Sequence, residues 1–237
     1  QFIPMPIEET NIDIEVISED QVEKKVLLLI VAAPKKVVER VQTTVELAGL
    51  NPESVENELS CTARFINNFN KNILNQYKVN QTQGLVVANF DTNSTSLSYF
   101  SPQELIVKEV HHLSIGYQLF LKETQVNTNA DIKKSEEMLK NYDKNNPSSY
   151  SLEKIVQPLV KEFSTELKLF ISKYNPATVL FTNKIFLYPS LVTNLTEELG
   201  LPINIFEPSL LLKKSQLTET YKNELSVFIP GIGGNMR

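Results

Sequence analysis

A strand–helix–strand pattern near the C-terminus constrains the fold of this chain more than any other feature. Thr178–Thr182 is an apolar run typical of a buried strand, Pro189–Leu199 is typical of a helix, and Ile203–Phe206 is a second short strand. A Gly-Leu-Pro sequence at residues 200–202 closes the helix. Two strands joined by a helix are parallel neighbours in a sheet that helices cover. The pattern therefore predicts an α/β fold with a doubly wound sheet.

A β meander precedes that pattern. Its three strand-like runs, separated by polar turns, are Leu85–Phe90, Ser94–Phe100 and Leu105–Val110. Helices are predicted near Ile115–Glu123 and Asp131–Lys140, with a long amphipathic helix over Leu152–Tyr174. A last helix is predicted near Gln216–Leu225. We group these segments into one predicted domain, residues 83–237, with a helical insertion at about 119–175.

The first 82 residues are predicted to form a smaller α+β subdomain with a connecting helix. In Asn11–Ile17 apolar and acidic residues alternate, which indicates a half-buried strand. Val26–Ala33 is continuously apolar, which favours a strand buried on both faces. An amphipathic helix over Lys35–Ala48 and a second helix over about Pro52–Gln76 follow.

Composition excludes several classes of protein. The chain has 237 residues, 41% of them hydrophobic and 22% charged, which excludes a disordered chain, a collagen and a disulfide scaffold. A net charge of -5 argues against nucleic acid as the main partner. A single cysteine fits a reducing compartment, and the longest apolar run is far shorter than a membrane span. The chain lacks a visible signal peptide and an initiator Met, so we expect a processed product or part of something longer.

Five short motifs, in order along the chain, carry a family resemblance. They are QFIPMPIEE (residues 1–9), VLLLIVAAPKKVV (26–38), ELAGLNP (46–52) with Glu58 to Arg64 after it, LGLP (199–202) and IPGIGGNMR (229–237). Their order and spacing resemble the PilM family of type IV pilus assembly proteins, relatives of the cell-division protein FtsA. The resemblance implies an actin-like (ribonuclease H-like) fold, incomplete because the family's upstream subdomain has no counterpart here, with residues 1–82 as its inserted subdomain.

The same resemblance places two nucleotide loops, and both depart from the family pattern. The family's second phosphate loop reads Val-Asp-Ile-Gly-Ala-Ser-Ser-Thr-Thr-Leu, whereas residues 88–97 read ANFDTNSTSL. Asn89 stands in place of the acidic residue and Asp91 in place of the glycine. The adenosine loop reads Thr-Gly-Gly-Gly-Ala in the family and TNKIF at residues 182–186 here. The degenerate positions are Asn89, Asp91, Thr92, Asn93, Ser94, Thr95, Asn183 and Lys184.

These departures remove what a phosphate needs. A glycine lets the backbone approach the ligand closely, whereas Asp91 adds a Cβ and a negative charge. Two unit charges about 4 Å apart repel by about 4 kcal/mol at an effective dielectric constant near 20, roughly a thousandfold in affinity. Lys184, Ile185 and Phe186 add bulk where the purine enters. We therefore predict that the chain neither binds nor hydrolyses ATP and has no cofactor, unless Asp91 points away and Lys184 offsets its charge.

Other candidate sites have structural explanations. His111 and His112 are adjacent on a predicted strand, so their side chains face opposite sides and cannot bind one metal ion together. Cys61 lies in a predicted amphipathic helix and is expected to be a packing residue. We predict no metal site and no catalytic residue.

The resemblance implies a cytoplasmic scaffold at the cytoplasmic face of the inner membrane. Its expected partners are the N-terminal tail of a membrane-anchored PilN-like protein and the pilus motor ATPases, with self-association left open. Ile3, Pro4, Met5, Pro6 and Ile7 are the residues we expect near the tail. Two alternatives stay open: a functional actin-like ATP-binding protein, and an FtsA-like cytoskeletal protein linked to the membrane. Against the latter, glycines and a proline interrupt the C-terminal segment after Val227.

Overall fold

A five-stranded mixed sheet organises the larger of two units into which the chain divides. The computed structural model describes residues 5–79, 82–102, 104–146 and 150–236. The first unit is Gln1–Ser60 and the second is Cys61–Arg237.

The first unit contains a β-hairpin and a helix. β1 (Thr10–Asp20) pairs antiparallel with β2 (Lys25–Pro34), with a register shift near the middle of β1. α1 (Lys35–Leu47) follows directly and contacts both strands. The chain leaves α1 at Gly49, which has a φ of 79° and donates its amide to Glu46 of the last turn. The predicted strand, strand and helix are confirmed, but the predicted half-burial of the first strand is wrong, because Ile12, Ile14 and Val16 are 39%, 57% and 54% exposed.

The predicted burial of β2 on both faces is wrong. Leu27, Leu29 and Val31 point to one face and are half-buried, whereas Leu28 and Ile30 on the other face are 44% and 49% exposed. α1 covers one face of a two-stranded hairpin, so the second face stays open. A continuous apolar run does not tell a strand covered on both faces from one covered on a single face.

The sheet of the second unit has the strand order β5-β4-β3-β6-β7. Its strands are β3 (Leu85–Phe90), β4 (Thr95–Phe100), β5 (Val107–Leu113), β6 (Thr178–Asn183) and β7 (Ile203–Ile205). β3, β4 and β5 form an antiparallel meander, and β6 and β7 run parallel to β3. Both the predicted meander and the predicted strand–helix–strand unit are confirmed.

Helices cover both faces of this sheet. They are α2 (Glu58–Asn68), α3 (Asn70–Gln76), α4 (Tyr117–Thr128), α5 (Ile132–Lys140), α6 (Tyr150–Ser172), α7 (Ser190–Leu199), α8 (Gln216–Thr220) and α9 (Ile229–Gly234). On one face, buried side chains of α4, α6 and α7 pack on Phe90 and Phe181. On the other face, Phe65, Ile73 and Ile229 pack with residues of β3. α2 and α3 thus contribute to the core of the second unit, and the domain limits at residues 82 and 83 stay a prediction.

Helix limits differ from the sequence analysis in two regions. The helix expected over Pro52–Gln76 is absent at residues 51–57 and is interrupted at Phe69, whose φ and ψ of -107° and 17° are not helical. The helix expected over Gln216–Leu225 ends at Thr220, and the Gly-rich segment after Phe228 forms α9. Asparagine clusters and glycines are poor guides here because tertiary packing overrides weak helix propensity. None of the described helices combines the length and the hydropathy needed to cross a bilayer.

Candidate functional site

The two degenerate loops lie side by side at one edge of the sheet. β3 and β6 are parallel neighbours, with Asn89 opposite Thr182 and Phe90 opposite Asn183. The Thr182 hydroxyl donates to the Asn89 side-chain oxygen at 3.4 Å. The segments that follow these strands, beginning with Asp91 and Lys184, therefore leave the sheet at the same carboxyl edge. In doubly wound sheets this is the edge at which ligands bind.

The first loop is closed by its own backbone and by α4. The amide of Asp91 donates to the Ser94 carbonyl at 3.0 Å. The carbonyls of Asp91 and Thr92 accept the amides of Tyr117 and Gln118, at 2.9 and 2.8 Å. A phosphate at a helix N-terminus needs free amides, and here those of Tyr117 and Gln118 already have partners.

Gly116 is the residue that allows this close approach. A Cβ at this position would lie 2.6 Å from the carbonyl carbon of Asn93 and 2.7 Å from the carbonyl oxygen of Asp91. The loop ends at Thr95, the first residue of β4, whose buried hydroxyl donates to the Ile115 carbonyl at 2.6 Å. The loop and the start of α4 are thus one packed element, which the sequence analysis did not anticipate.

In the second loop, Asn183 has a backbone conformation suited to glycine. This residue has a φ of 66° and a ψ of -126°, and its carbonyl accepts the Ser226 hydroxyl at 3.3 Å. The bulky residues after it diverge. Ile185 is fully buried in the sheet–helix core, whereas Phe186 lines a cavity. Both residues were expected to obstruct a purine. Phe186 lines the open space at this edge, whereas Ile185 lies in the core and does not.

This cavity has a volume of about 520 Å³ and lies at the carboxyl ends of β6 and β7. Its lining includes Phe186 and Phe206, the lysines Lys140 and Lys222, and the glutamates Glu207 and Glu224. Equal numbers of lysine and glutamate side chains in this set favour neither an anion nor a cation. The cavity was not predicted from the sequence because its residues come from distant segments. The one usable signal was that two predicted parallel strands end at the same edge of the sheet, where ligands bind.

Tyr77 fixes the backbone beside the cavity. Its hydroxyl oxygen accepts the amide of Glu207 at 3.1 Å, and burial raises the pKa of the Tyr77 hydroxyl to about 12. The hydroxyl thus stays protonated at neutral pH. Among the residues that the structure describes, no group of three His, Cys, Asp or Glu side chains is placed to bind a metal ion.

The residues expected near a partner's tail lie before β1. Ile3 and Pro4 lie outside the described residues. Met5 is half-buried, Pro6 is exposed, and Ile7 is 69% exposed in a 3₁₀ turn. The Pro6 carbonyl accepts the Thr10 hydroxyl at 2.6 Å, so this segment is tied to the start of the hairpin.

Comparison with known families decides the relationship. The model of the family described as type IV pilus assembly protein PilM matches residues 1–237. This chain belongs to the PilM family. A search of curated proteins by sequence finds no match.

Solved structures give the fold. The chain aligns with a structure of a PilM-PilN type IV pilus biogenesis complex at 19% identity and a TM-score of 0.74, covering 99% of this chain and 68% of that chain. It aligns with MreB5 of Spiroplasma citri bound to AMPPNP at 12% identity and a TM-score of 0.53, covering 86% of this chain and 64% of that chain. The fold is therefore actin-like, as the resemblance implied, and the chain spans about two thirds of these relatives.

Proposed function

We propose that this PilM-family chain is a non-catalytic scaffold of a type IV pilus assembly machine. In this role it binds the N-terminal tail of a membrane-anchored PilN-like protein and couples it to the motor ATPases, at the cytoplasmic face of the inner membrane. The partners and the location rest on family membership and on the likeness to a PilM protein in a complex with PilN. Self-association is left open.

The arrangement of the first loop is the observation that carries the non-catalytic part. Asp91 stands where a glycine would approach a phosphate, and its amide and the first amides of α4 already donate to loop carbonyls. Asn89, in place of the acidic residue, is neutral and cannot be a carboxylate ligand of a hydrated magnesium ion. The carboxylate of Asp91 would therefore repel a triphosphate, and the loop amides that could donate to it are already bonded.

An extended tail needs apolar contacts and main-chain hydrogen bonds at a strand. The segment Met5–Ile7 lies shortly before β1 and exposes the apolar side chain of Ile7. Together with Ile3 and Pro4, it is our candidate for the place where one end of the tail binds.

A peptide titration tests tail binding. We would titrate a synthetic peptide of the partner's N-terminal tail into the longest natural form of the protein by calorimetry. Ile7→Asp should weaken binding about tenfold, because it places a charge against an apolar contact. Leu47→Asp is the matched control, since Leu47 is also exposed (84%) and lies at the end of α1. Equal effects of the two substitutions, or no peptide binding at all, would count against the proposal.

One observation favours the alternative of a functional ATP-binding protein. The cavity at the carboxyl edge of β6 and β7 is lined by the partly exposed Phe186, and an aromatic ring can stack on a purine. This alternative predicts saturable Mg-ATP binding that is weakened by Phe186→Asp.

A further inference from the structure

The β1–β2 hairpin of the first unit is an incomplete sheet. In the part of the chain that the structure describes, this sheet contains β1 and β2 alone. A two-stranded sheet is marginally stable at best, and a third strand or further packing is needed for independent stability. Thr10 is the one buried residue among the described side chains of the unit. α1 supplies part of this packing, and the outer edge of β1, which pairs with no strand among the described residues, is the position open to an added strand.

β1 has two chemically different faces. Ile12, Ile14 and Val16 point to one face and are 39%, 57% and 54% exposed. Asp13 and Glu15 point to the other face and are also exposed. The outer edge of β1 therefore offers a partner strand an apolar row and an acidic row, one on each side of the sheet.

Net charge narrows the choice of partner. Residues 1–60 carry 12 acidic and 5 basic side chains, a net charge of -7, although the whole chain carries -5. A second copy of this chain is a poor partner at this edge: antiparallel pairing of β1 with β1 about Ile14 would place Asp13 opposite Glu15. Like charges directly opposite one another destabilise a sheet.

We propose that the outer edge of β1 binds an extended segment of a partner protein in which apolar residues alternate with lysine or arginine. The segment adds a third strand to the hairpin. Its apolar side chains pack beside Ile12, Ile14 and Val16, and its basic side chains pair with Asp13 and Glu15 across the strands. This surface is separate from the residues before β1, and the proposal holds whichever protein supplies the strand.

One local bond has to be replaced when the strand binds. The amide of Ile14 donates to the carboxylate of its neighbour Asp13 at 2.9 Å, at an exposed position. A carbonyl of the added strand can take over this amide and leave Asp13 to pair with a lysine or arginine. Exposed hydrogen bonds of this kind contribute little to stability, so the exchange costs little.

The probe is a short fluorescent peptide that alternates valine with lysine, titrated into the full chain by anisotropy. Its control has glutamate in place of each lysine. We expect saturable binding of the lysine peptide and none of the glutamate peptide. The double variant Asp13→Lys/Glu15→Lys should weaken the lysine peptide about tenfold and bind the glutamate peptide instead, since two cross-strand pairs change sign.

A matched variant separates edge pairing from general attraction. Glu39→Lys/Glu46→Lys changes the net charge by the same amount on exposed positions of α1, and it should leave lysine-peptide binding within about twofold. Thermal unfolding of each variant checks that the fold is kept. Equal weakening by both double variants, no saturable binding, or a dimer of the wild-type chain that Ile14→Lys dissociates would each overturn the proposal.

Discussion

Asn183 has a backbone conformation that glycine adopts without strain. Its φ of 66° and ψ of -126° lie outside the left-handed helical region that asparagine tolerates. The PilM-family motif that this segment resembles has a glycine here. Asparagine in this conformation costs about 1–3 kcal/mol.

Replacing Asn183 with glycine should therefore stabilise the protein. We expect the free energy of unfolding to rise by about 1 kcal/mol in urea titrations, because relief of strain exceeds the entropy that glycine adds to the unfolded chain. Asn129→Gly is the control, since Asn129 at φ 53° and ψ 31° is in the ordinary left-handed region. A loss of stability in Asn183→Gly, or an equal gain in the control, would show that Asn183 is not strained.

Glu109 on β5 contributes stability that depends on pH. Hydrogen bonds from Tyr174 and from Lys173 (2.9 Å) hold the pKa of the Glu109 carboxyl below its usual range. Burial and the bond to Glu109 raise the pKa of Tyr174 to about 12. A carboxyl with a lowered pKa stabilises the fold above its unfolded pKa, near 4.3, and loses this effect as the pH falls through the folded value.

Glu109→Gln should accordingly be less stable than wild type by up to about 1 kcal/mol at pH 7, since the pair is partly exposed. The difference should shrink below about pH 4 in urea titrations at stepped pH. Glu162→Gln, at an exposed position of α6, should not alter the pH dependence. A Glu109→Gln deficit that is constant down to pH 2 would refute the assignment.

At the scale of elements, the loop after β3 and the start of α4 depend on each other. Gly116→Ala places a methyl group within 3 Å of the loop backbone. We expect a loss of about 1–3 kcal/mol in the free energy of unfolding, the usual cost of overpacking. Gly231→Ala is the control, because a Cβ at this position in α9 meets open space. We expect its free energy of unfolding to rise by up to about 1 kcal/mol, since alanine has a higher helix propensity than glycine.

That pair of variants also tests the closed loop itself. If Gly116→Ala unfolds with wild-type stability, the contact between the loop and α4 is looser than described, and the amides of Tyr117 and Gln118 are available to a ligand.

Elements with a strong pattern could be predicted from the sequence. The alternation in β1, the apolar run of β6 and the long stripe of α6 fix their type, because hydrophobic periodicity follows backbone geometry. The break at Phe69 and the helix after Phe228 could not be predicted, since tertiary packing decides short segments of weak propensity. The exposure of one face of β2 could not be predicted for a different reason, because burial depends on which elements pack against the strand.

At the scale of the whole molecule, the family resemblance assigned both loops to nucleotide binding, whereas the cavity beside them was not predicted. Parallel strands end at one edge, so Asp91 and Lys184 had to be neighbours once β3 and β6 were paired. The cavity depends on Lys140, Phe206 and Lys222, which only the folded chain brings near Phe186. The expectation that no nucleotide binds stays a prediction.

Calorimetric titration of the wild-type chain with Mg-ATP tests that expectation most directly. We expect no heat beyond dilution up to about 1 mM nucleotide, in a preparation that unfolds cooperatively on heating. A saturable isotherm with a micromolar dissociation constant would contradict it.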